Sequence, residues 1–246
     1  MNFPISKKKI LIFIPAYNVE KKIYSVISRM PPDIFNKNEI DILIINDFST
    51  DKTLDEINKI KENFSYKIYV HNTEKNLGYG GVQKFAFNYS INKYYDYLIM
   101  LHGDGQYAPE ELPRFIEKLK DENIDAVFGS RMKSYKSALK GGMPLYKCIG
   151  NIALTFIQNI ILGSKISEFH SGYRSFKVNS LKLIEFNDKA DYYHFDTEII
   201  IEFLKKKLRI LEIHIPTYYG DEISHLRSIP YGIKVLISTI KLRFKK

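Results

Sequence analysis

The stretch ILIFIPAYNVE, residues 10–20, joins a short apolar run to a polar turn and decides the class of fold that we predict. Its first six residues are apolar on both faces and rich in isoleucine, as in strands buried inside a parallel sheet. Four similar runs follow, at residues 40–45, 67–71, 97–101 and 125–129. Amphipathic stretches separate them, at residues 20–30, 51–63, 80–92 and 109–122. This alternation predicts an α/β fold with a central, mostly parallel sheet flanked by helices.

A different pattern begins after residue 130, where a basic loop precedes a long apolar segment. The further predicted elements are a helix at residues 145–162, a strand at 173–176, a helix at 195–206, a strand at 210–215 and a helix at 231–244. We expect both halves to share one sheet within a single domain of residues 1–246. Its parts are residues 1–130, residues 131–230 and a basic amphipathic helix at 231–246.

The net charge of +9 is carried by two segments that contain no acidic residue. Residues 126–167 and residues 223–246 hold six basic side chains each. Such segments are typical of a protein that meets a phosphorylated ligand, an anionic membrane or nucleic acid, and equally of a solvated lysine-rich surface. The composition, 45% hydrophobic and 26% charged, excludes a disordered or fibrous chain. Cys148 is the one cysteine, which excludes an internal disulfide and indicates a reducing compartment, the cytoplasm.

Two segments bear on membrane contact. The apolar segment at residues 148–162 is interrupted by polar side chains, so we expect no membrane-spanning helix: Asn151, Thr155, Gln158 and Asn159. The final helix alternates isoleucines with lysines, as in helices that lie on an anionic bilayer, and a basic helix packed on the domain's own core would show the same pattern. The chain is therefore expected in the cytoplasm, either free or peripheral at the inner face of the cytoplasmic membrane.

Polar residues follow three of the predicted strands, where ligands bind in open α/β sheets. They are PAYNVE at residues 15–20, NDFSTD at 46–51 and HGDGQY at 102–107. The glycine pattern G-x-G-x-x-G is absent after the first strand, which argues against a nicotinamide or flavin enzyme. In the third motif, Asp104 and Gln106 place a carboxylate and an amide oxygen on one side of an extended segment. Such hard oxygen ligands suit Mg²⁺ or Mn²⁺, although G-D-G is also an ordinary turn.

These motifs occur in order with three others, Asn76-Leu77-Gly78, Gly129-Ser130-Arg131 and HSGYRSF at residues 170–176. Together they resemble the inverting family 2 glycosyltransferases with the Rossmann-like GT-A fold. The likeness is greatest to the polyprenyl-phosphate sugar synthases, and it covers nearly the whole chain.

The resemblance implies a nucleotide-diphosphate sugar as donor, either a UDP-sugar or a GDP-sugar, bound by residues 1–130. Asp47 would accept a hydrogen bond from the base, and Asp104 with Gln106 would hold Mg²⁺ or Mn²⁺ on the diphosphate. The other residues implied at the donor site are Pro15, Ala16, Tyr17, Asn18, Glu20, Gly78 and Gly103. His102 departs from the family, which usually has an aspartate there. Three roles remain open for His102: a metal ligand that favours Mn²⁺, a hydrogen-bond donor to phosphate, or a structural histidine.

The resemblance also places Arg131 and Arg174 at the diphosphate or at an acceptor phosphate, where the planar guanidinium suits phosphate, although either could form a surface salt bridge. Lys147, His225 and Arg227 are weaker candidates, and residues 218–222 resemble a flap over the donor. A hydroxyl acceptor would need a general base, for which Glu198 is our first candidate beside Glu168 and Asp196. A phosphate acceptor, already anionic, needs none.

We therefore predict a metal-dependent inverting glycosyltransferase that uses a polyprenyl phosphate acceptor. The alternative is transfer to a hydroxyl group of a cell-surface glycan or lipid-linked oligosaccharide. An inactive nucleotide-binding or nucleic-acid-binding module is a further alternative. The chain has no nucleic-acid-binding motif, and its basic residues flank a phosphate-site pattern, so nucleic acid is not an expected partner.

Overall fold

The structure, a computed structural model, describes residues 7–219 and 228–244, with side chains for residues 7–219 and 230–244. His225, Arg227 and residues 220–222 of the expected flap lie outside this range.

Seven strands form one sheet that draws on both halves of the chain. The strands are β1 Lys9–Ala16, β2 Glu39–Asn46, β3 Lys67–Asn72, β4 Tyr97–Met100, β5 Ala126–Ser130, β6 Arg174–Lys177 and β7 Ile210–His214. Their order is β3-β2-β1-β4-β6-β5-β7. Only β6 runs antiparallel to its neighbours β4 and β5 within this sheet. The predicted central, mostly parallel sheet is thus confirmed.

The helices lie close to the predicted positions. They are α1 Ile23–Ser28, α2 Asp33–Lys37, α3 Thr53–Asn63, α4 Gly78–Asn92, α5 Leu112–Leu119, α6 Tyr135–Lys140, α7 Leu145–Leu162, α8 Val178–Leu181, α9 Phe195–Lys205 and α10 Ser228–Phe244. Short 3₁₀ turns occur at Pro109–Glu111 and Met132–Ser134. Helices α2, α6 and α8 were not predicted, because four to six residues are too few to show a helical period.

The core lies on both faces of the sheet, which explains why the strands are apolar on both sides. On β1, Ile10, Ile12 and Ile14 face the layer formed by α1, α3 and α5. Leu11 and Phe13 face the opposite layer, formed by α4, α8 and α9. The alternation of side chains along a strand divides the isoleucines and leucines between these two layers.

Helices α7 and α10 pack against each other beside the sheet layers. The Gln158 side-chain amide of α7 donates to Thr239 Oγ1 of α10 at 3.3 Å. Leu154 lies against Gly232, where a Cβ would be 3.4 Å from the leucine side chain. By length and composition alone, α7 is long and apolar enough to cross a membrane, with 17% of it buried.

Two helical glycines give a matched test of the packing around α4. A Cβ at Gly80 would overlap the Ala190 carbonyl oxygen, whereas a Cβ at Gly150 of α7 would meet nothing within 4 Å. We expect Gly80→Ala to lower the free energy of unfolding by about 1–3 kcal/mol, because backbone must move. Gly150→Ala should raise it by about 0.5–1 kcal/mol through helix propensity. Urea unfolding of both variants tests this, and equal effects would contradict the close approach.

Candidate active site

The three strand-end motifs come together at one edge of the sheet. The backbone N–H of Asp47, just after β2, donates to the Ala16 carbonyl at the end of β1 at 2.8 Å. The N–H of Gly103, after β4, donates to the Pro15 carbonyl at 3.3 Å. Pro15 and Ala16 therefore link all three motifs through their backbone, and Tyr17, 43% exposed, is the residue that follows them at this edge.

Asn18 and Glu20 shape the loop that leads into α3. Asn18 adopts a positive φ of 53° and accepts a hydrogen bond from the Thr50 N–H through Oδ1 at 2.9 Å. Glu20 Oε2 accepts from the Lys52 N–H at 2.8 Å. Both side chains thus bind backbone of the β2–α3 loop, and their contact with a nucleotide stays a prediction.

Asp47 is buried and holds the start of α4. One carboxylate oxygen accepts from the Leu77 N–H at 2.7 Å and from Thr73 Oγ1 at 3.2 Å. The other accepts from the Gly78 N–H at 3.0 Å. At Gly78, φ is +76° and a Cβ would lie 2.6 Å from the Asp191 carbonyl oxygen, so only glycine fits. The carboxylate keeps further lone pairs for the predicted base contact.

Asp104 presents a half-exposed carboxylate at the same edge. Its Oδ1 accepts from the Gln106 backbone N–H at 2.9 Å, and its Oδ2 lies 4.0 Å from His102 Nδ1. Gly105 follows with a φ of +76°, which turns the chain sharply after the carboxylate. In residues 7–219 and 228–244, no cluster of three or more His, Cys, Asp or Glu side chains could hold a metal. A cation at Asp104 would therefore have few protein ligands.

His102 connects Asp104 to a buried polar chain. Its Nε2 lies 3.3 Å from the Tyr79 hydroxyl, which donates its proton to Asp196 Oδ2 at 2.9 Å. Because that hydroxyl has one proton, we assign the Nε2–H of His102 as donor to Tyr79. Nδ1 then carries a lone pair on the side of Asp104. Burial lowers the pKa of His102, so the ring is neutral at pH 7.

Arg174 is buried, and its contacts do not support the predicted place at a phosphate. Its guanidinium donates to the Ser171, Asp196 and Phe169 carbonyls at 2.8, 2.7 and 2.9 Å. It also stacks on the Phe128 ring at 4.8 Å. The side chain is 1% exposed, and Nη2 also lies 3.7 Å from the Asp196 carboxylate. A guanidinium suits carbonyls as well as phosphates, and the sequence motif does not distinguish the two.

Arg131, which follows β5, forms a buried ion pair with Glu168. Its backbone N–H donates to Glu168 Oε2 at 2.6 Å, and its guanidinium contacts Oε1. Nη1 is 3.2 Å from the Tyr219 hydroxyl. Burial disfavours the charge of Arg131, but the Glu168 carboxylate outweighs it and raises the arginine pKa. The Asn151 amide of α7 donates to the same carboxylate at 2.8 Å.

Glu198 does not reach the His102 chain, and its placement does not support its prediction as a base. Its Oε1 accepts from Ser238 Oγ of α10 at 3.0 Å, and its Oε2 accepts from the Ala190 N–H at 2.8 Å. Glu198 therefore joins α9 to α10. Asp196 is the acid nearest the chain, and it accepts from Gln83 Nε2 at 2.9 Å as well as from Tyr79.

Sequence reasoning missed two tyrosines of the site. Tyr79 bridges His102 and Asp196, and the Tyr107 hydroxyl accepts from the Gly172 N–H at 2.8 Å. A Cβ at Gly172 would lie 2.5 Å from His102 Nε2, so this glycine admits the ring. Both tyrosines end a quoted motif or follow one directly, and that adjacency was the available signal.

Replacing Arg174 should affect folding more than donor affinity. Arg174→Met removes one donor from each of three carbonyls and leaves a cavity, so we expect a loss of about 3–5 kcal/mol in the free energy of unfolding. The exposed Arg114→Met is the matched control and should change it by less than about 1 kcal/mol. Denaturant unfolding measures both. A normal stability with a raised KM for the donor would restore the predicted phosphate contact.

His170 should make the fold sensitive to acid. Its Nδ1 lies 2.8 Å from the Tyr231 hydroxyl of α10, and burial lowers its pKa to about 4 from 6.5. The unfolded chain therefore binds the extra proton first, and acid favours unfolding. This residue should lower the free energy of unfolding by up to about 1.4 kcal/mol per pH unit as pH falls from about 6.5 to 4.

His170→Asn keeps a polar partner for Tyr231 and removes the titration. Its unfolding free energy should depend less steeply on pH than that of the parent, measured by urea unfolding between pH 7 and about 4.5. Because the pKa of His102 and His194 is also lowered, the variant keeps a residual slope. Parallel curves for the two proteins would contradict the assignment.

Comparison with known proteins agrees with this geometry. Residues 11–184 match the family described as Glycosyl transferase family 2. The chain is 28% identical to the UDP-N-acetylglucosamine–dolichyl-phosphate N-acetylglucosaminyltransferase of Methanococcus voltae, over 98% of this chain and 99% of that protein. It is 27% identical to the undecaprenyl-phosphate mannosyltransferase of Micrococcus luteus, over 84% and 82%. An uncharacterized protein of Methanocaldococcus jannaschii is 32% identical, over 95% and 99%.

Among solved structures, glucosyl-3-phosphoglycerate synthase from Mycobacterium tuberculosis with Mg²⁺ and UDP superimposes with a TM-score of 0.68. The alignment covers 96% of this chain and 79% of that one at 15% identity, which shows the fold alone. The family match, the relatives and the sheet order agree, and the chain belongs to glycosyl transferase family 2, with the GT-A fold.

Proposed function

We propose that this protein transfers a sugar from a UDP- or GDP-sugar to a polyprenyl phosphate, with inversion at the anomeric carbon and with a divalent metal. Two relatives bear names that specify dolichyl or undecaprenyl phosphate. Solved neighbours hold UDP with Mg²⁺ or Mn²⁺. The unpaired Cys148 fits the reducing cytoplasm, where we place the reaction.

The choice of a phosphate acceptor rests on one observation, the hydrogen bonding of the three carboxylates that are candidate bases. Glu168 is paired with Arg131, Asp196 accepts from Tyr79 and Gln83, and Glu198 accepts from Ser238 and Ala190. Each of the three carboxylates is therefore already engaged by donors of the protein itself. A hydroxyl acceptor needs a general base, whereas a phosphate oxygen is already anionic. The arrangement therefore supports the phosphate.

The residues around Asp104 fit a metal bound mostly through the donor. Mg²⁺ and Mn²⁺ sites on phosphorylated substrates commonly use one or two protein carboxylates and complete their shell with phosphate oxygens and water. Asp104 Oδ2 and the His102 Nδ1 lone pair, 4.0 Å apart, are the two groups that would hold it. Imidazole suits Mn²⁺ better than Mg²⁺, so we propose manganese. Gln106 remains a proposed third ligand. When bound, the metal would neutralise charge on the departing diphosphate.

The proposed transfer is a single in-line displacement. An oxygen of the acceptor phosphate forms a bond to the anomeric carbon on the face opposite the nucleotide. The bond from that carbon to the diphosphate oxygen breaks, and its electron pair leaves with the nucleoside diphosphate. Asn18, Glu20 and Asp47 hold the loops around the donor, and Arg131, fixed by its pair with Glu168, is the proposed residue on the acceptor side.

A transfer assay tests this function. With Mn²⁺, a panel of UDP- and GDP-sugars and a polyprenyl phosphate, we expect a glycosylated lipid, and none with the matching polyprenol. Asp104→Asn should lower transfer roughly 100-fold, because a metal contact contributes several kcal/mol to the transition state. It should also remove the rise in melting temperature that Mn²⁺ with the donor gives the parent.

Glu117→Gln, an exposed acid remote from these motifs, is the control and should transfer at the parent rate. Transfer to polyprenol or to a glycan hydroxyl in place of the phosphate would select the alternative acceptor. Unchanged Mn²⁺ dependence in Asp104→Asn would contradict the metal site. Stabilisation by a nucleotide-sugar without any product would favour a binding module.

A further inference from the structure

Helix α7 presents its apolar side to solvent and its polar side to the protein. Asn151, Thr155 and Gln158 are buried, each within hydrogen-bond distance of a protein group. The side chains of the opposite side are 48–66% exposed: Leu145, Tyr146, Ile149, Ile152, Phe156 and Ile160. A surface helix of a water-soluble protein shows the reverse arrangement. The apolar stripe therefore needs an apolar environment outside the domain.

Helix α10 repeats this arrangement. Its exposed apolar residues recur at helical spacing and are 50–75% exposed: Ile233, Ile237, Ile240 and Phe244. Val235, Thr239 and Leu242 face inward and are buried. The expected packing of this helix on the domain is thus present, and an apolar side remains uncovered by it.

The two helices that carry these exposed sides adjoin. Leu154 meets Gly232, Gln158 meets Thr239, and Arg243 Nε donates to the Ile161 carbonyl at 3.3 Å. The helices therefore lie side by side, and each turns its buried side to the same domain. We call the combined exposed side, with the ten apolar residues named above, the outer face. Contiguous apolar surface of this kind marks a protein or membrane contact.

Charge distinguishes the two possible partners of the outer face, a second copy of this chain and a lipid bilayer. The segments that carry the outer face contain no acidic residue. Exposed cations accompany it on α6, on α10 and after α7: Lys136, Lys140, Lys165, Lys234 and Lys241. A second copy of this chain would bring these cations against each other. Anionic lipid headgroups complement them, at about 1 kcal/mol for each basic residue near the surface.

Helix α7 lies along the bilayer in this arrangement. Although long enough to span, it is tied to the domain, since Asn151 donates to Glu168 and Gln158 to Thr239. Spanning would break these bonds and place Asn151, Thr155 and Gln158 in hydrocarbon without partners, which costs several kcal/mol for each group. An in-plane helix keeps them and buries only its apolar side.

We propose that the outer face of α7 and α10 seats this protein on an anionic bilayer, with both helices in the plane of the interface. The inference requires lipid only, and it holds whichever donor and acceptor the enzyme uses. It also sets the site near the headgroups, because Asn151 of α7 binds Glu168 and Tyr231 of α10 binds His170.

Co-sedimentation with vesicles tests the proposal. The full chain should bind phosphatidylcholine vesicles that contain phosphatidylglycerol, and bind pure phosphatidylcholine weakly. Phe156→Ser with Ile160→Ser should lower the affinity at least about tenfold, since two large side chains lose burial in the interface. The matched control, Leu183→Ser with Tyr94→Ser, removes two equally exposed side chains elsewhere and should bind as the parent does.

A fluorescent label reports the depth of insertion. The single cysteine permits a Cys148→Ser background, into which Phe156→Cys or Tyr94→Cys carries a nitrobenzoxadiazole probe. The probe at residue 156 should shift to the blue with anionic vesicles, and the probe at 94 should not. Equal binding by both double variants, or no shift at residue 156, overturns the proposal.

A dimer in sedimentation velocity that Phe156→Ser with Ile160→Ser disrupts, without vesicle binding by the parent, overturns it in favour of a second copy. Because these vesicles contain no polyprenyl phosphate, failure here leaves the proposed sugar transfer untouched. Failure of the transfer assay likewise leaves the vesicle result standing.

Discussion

The buried guanidinium of Arg174 is the interaction on which the site depends. By donating to the Phe169, Ser171 and Asp196 carbonyls, it holds the loop before β6 against the start of α9. That loop carries Glu168, which fixes Arg131, and α9 carries Asp196, which connects through Tyr79 to His102. The proposed metal side and the proposed acceptor side of the site therefore share one buried cation. Its three hydrogen bonds to backbone carbonyls, together with the Phe128 ring and the Asp196 carboxylate, fix its position.

β1, β2, β4 and β5 were predictable because burial on both faces gives each of them a mostly apolar run. β1 and β2 extend one residue beyond each end of the predicted runs, at Lys9–Ala16 and Glu39–Asn46. The antiparallel direction of β6 was not predictable, because the residue pattern of a four-residue strand does not show whether it pairs parallel or antiparallel to its neighbours. For the site, the strand-end motifs met as expected. Arg174 donates to Asp196, 22 residues away, as well as to two nearby carbonyls, and Glu198 accepts from Ser238 of another helix. No local pattern contains these two distant contacts.

Helix α7 shows how one pattern supports opposite conclusions. Its polar residues interrupt an apolar segment of the sequence, and they predict that the helix does not span a membrane. In the fold, Asn151, Thr155 and Gln158 occupy one side and bind the domain, which leaves the other side purely apolar. A membrane-spanning helix with a few polar residues and a helix in the plane of the interface can have the same sequence pattern. They differ in where the polar residues lie around the helix and in what packs against them.

The bonds from α7 and α10 to the loop of Glu168 and His170 have a further consequence for the choice of acceptor. Asn151 and Tyr231 connect the outer face to the site with no flexible linker between them. If the outer face lies on a bilayer, this rigid connection keeps Arg131 at a constant distance from the lipid surface. A phosphate at headgroup depth lies at that distance at all times, whereas the end of a long glycan stands far beyond it. The distance of the acceptor group from the bilayer surface would then select among acceptors, before any pocket distinguishes their chemistry.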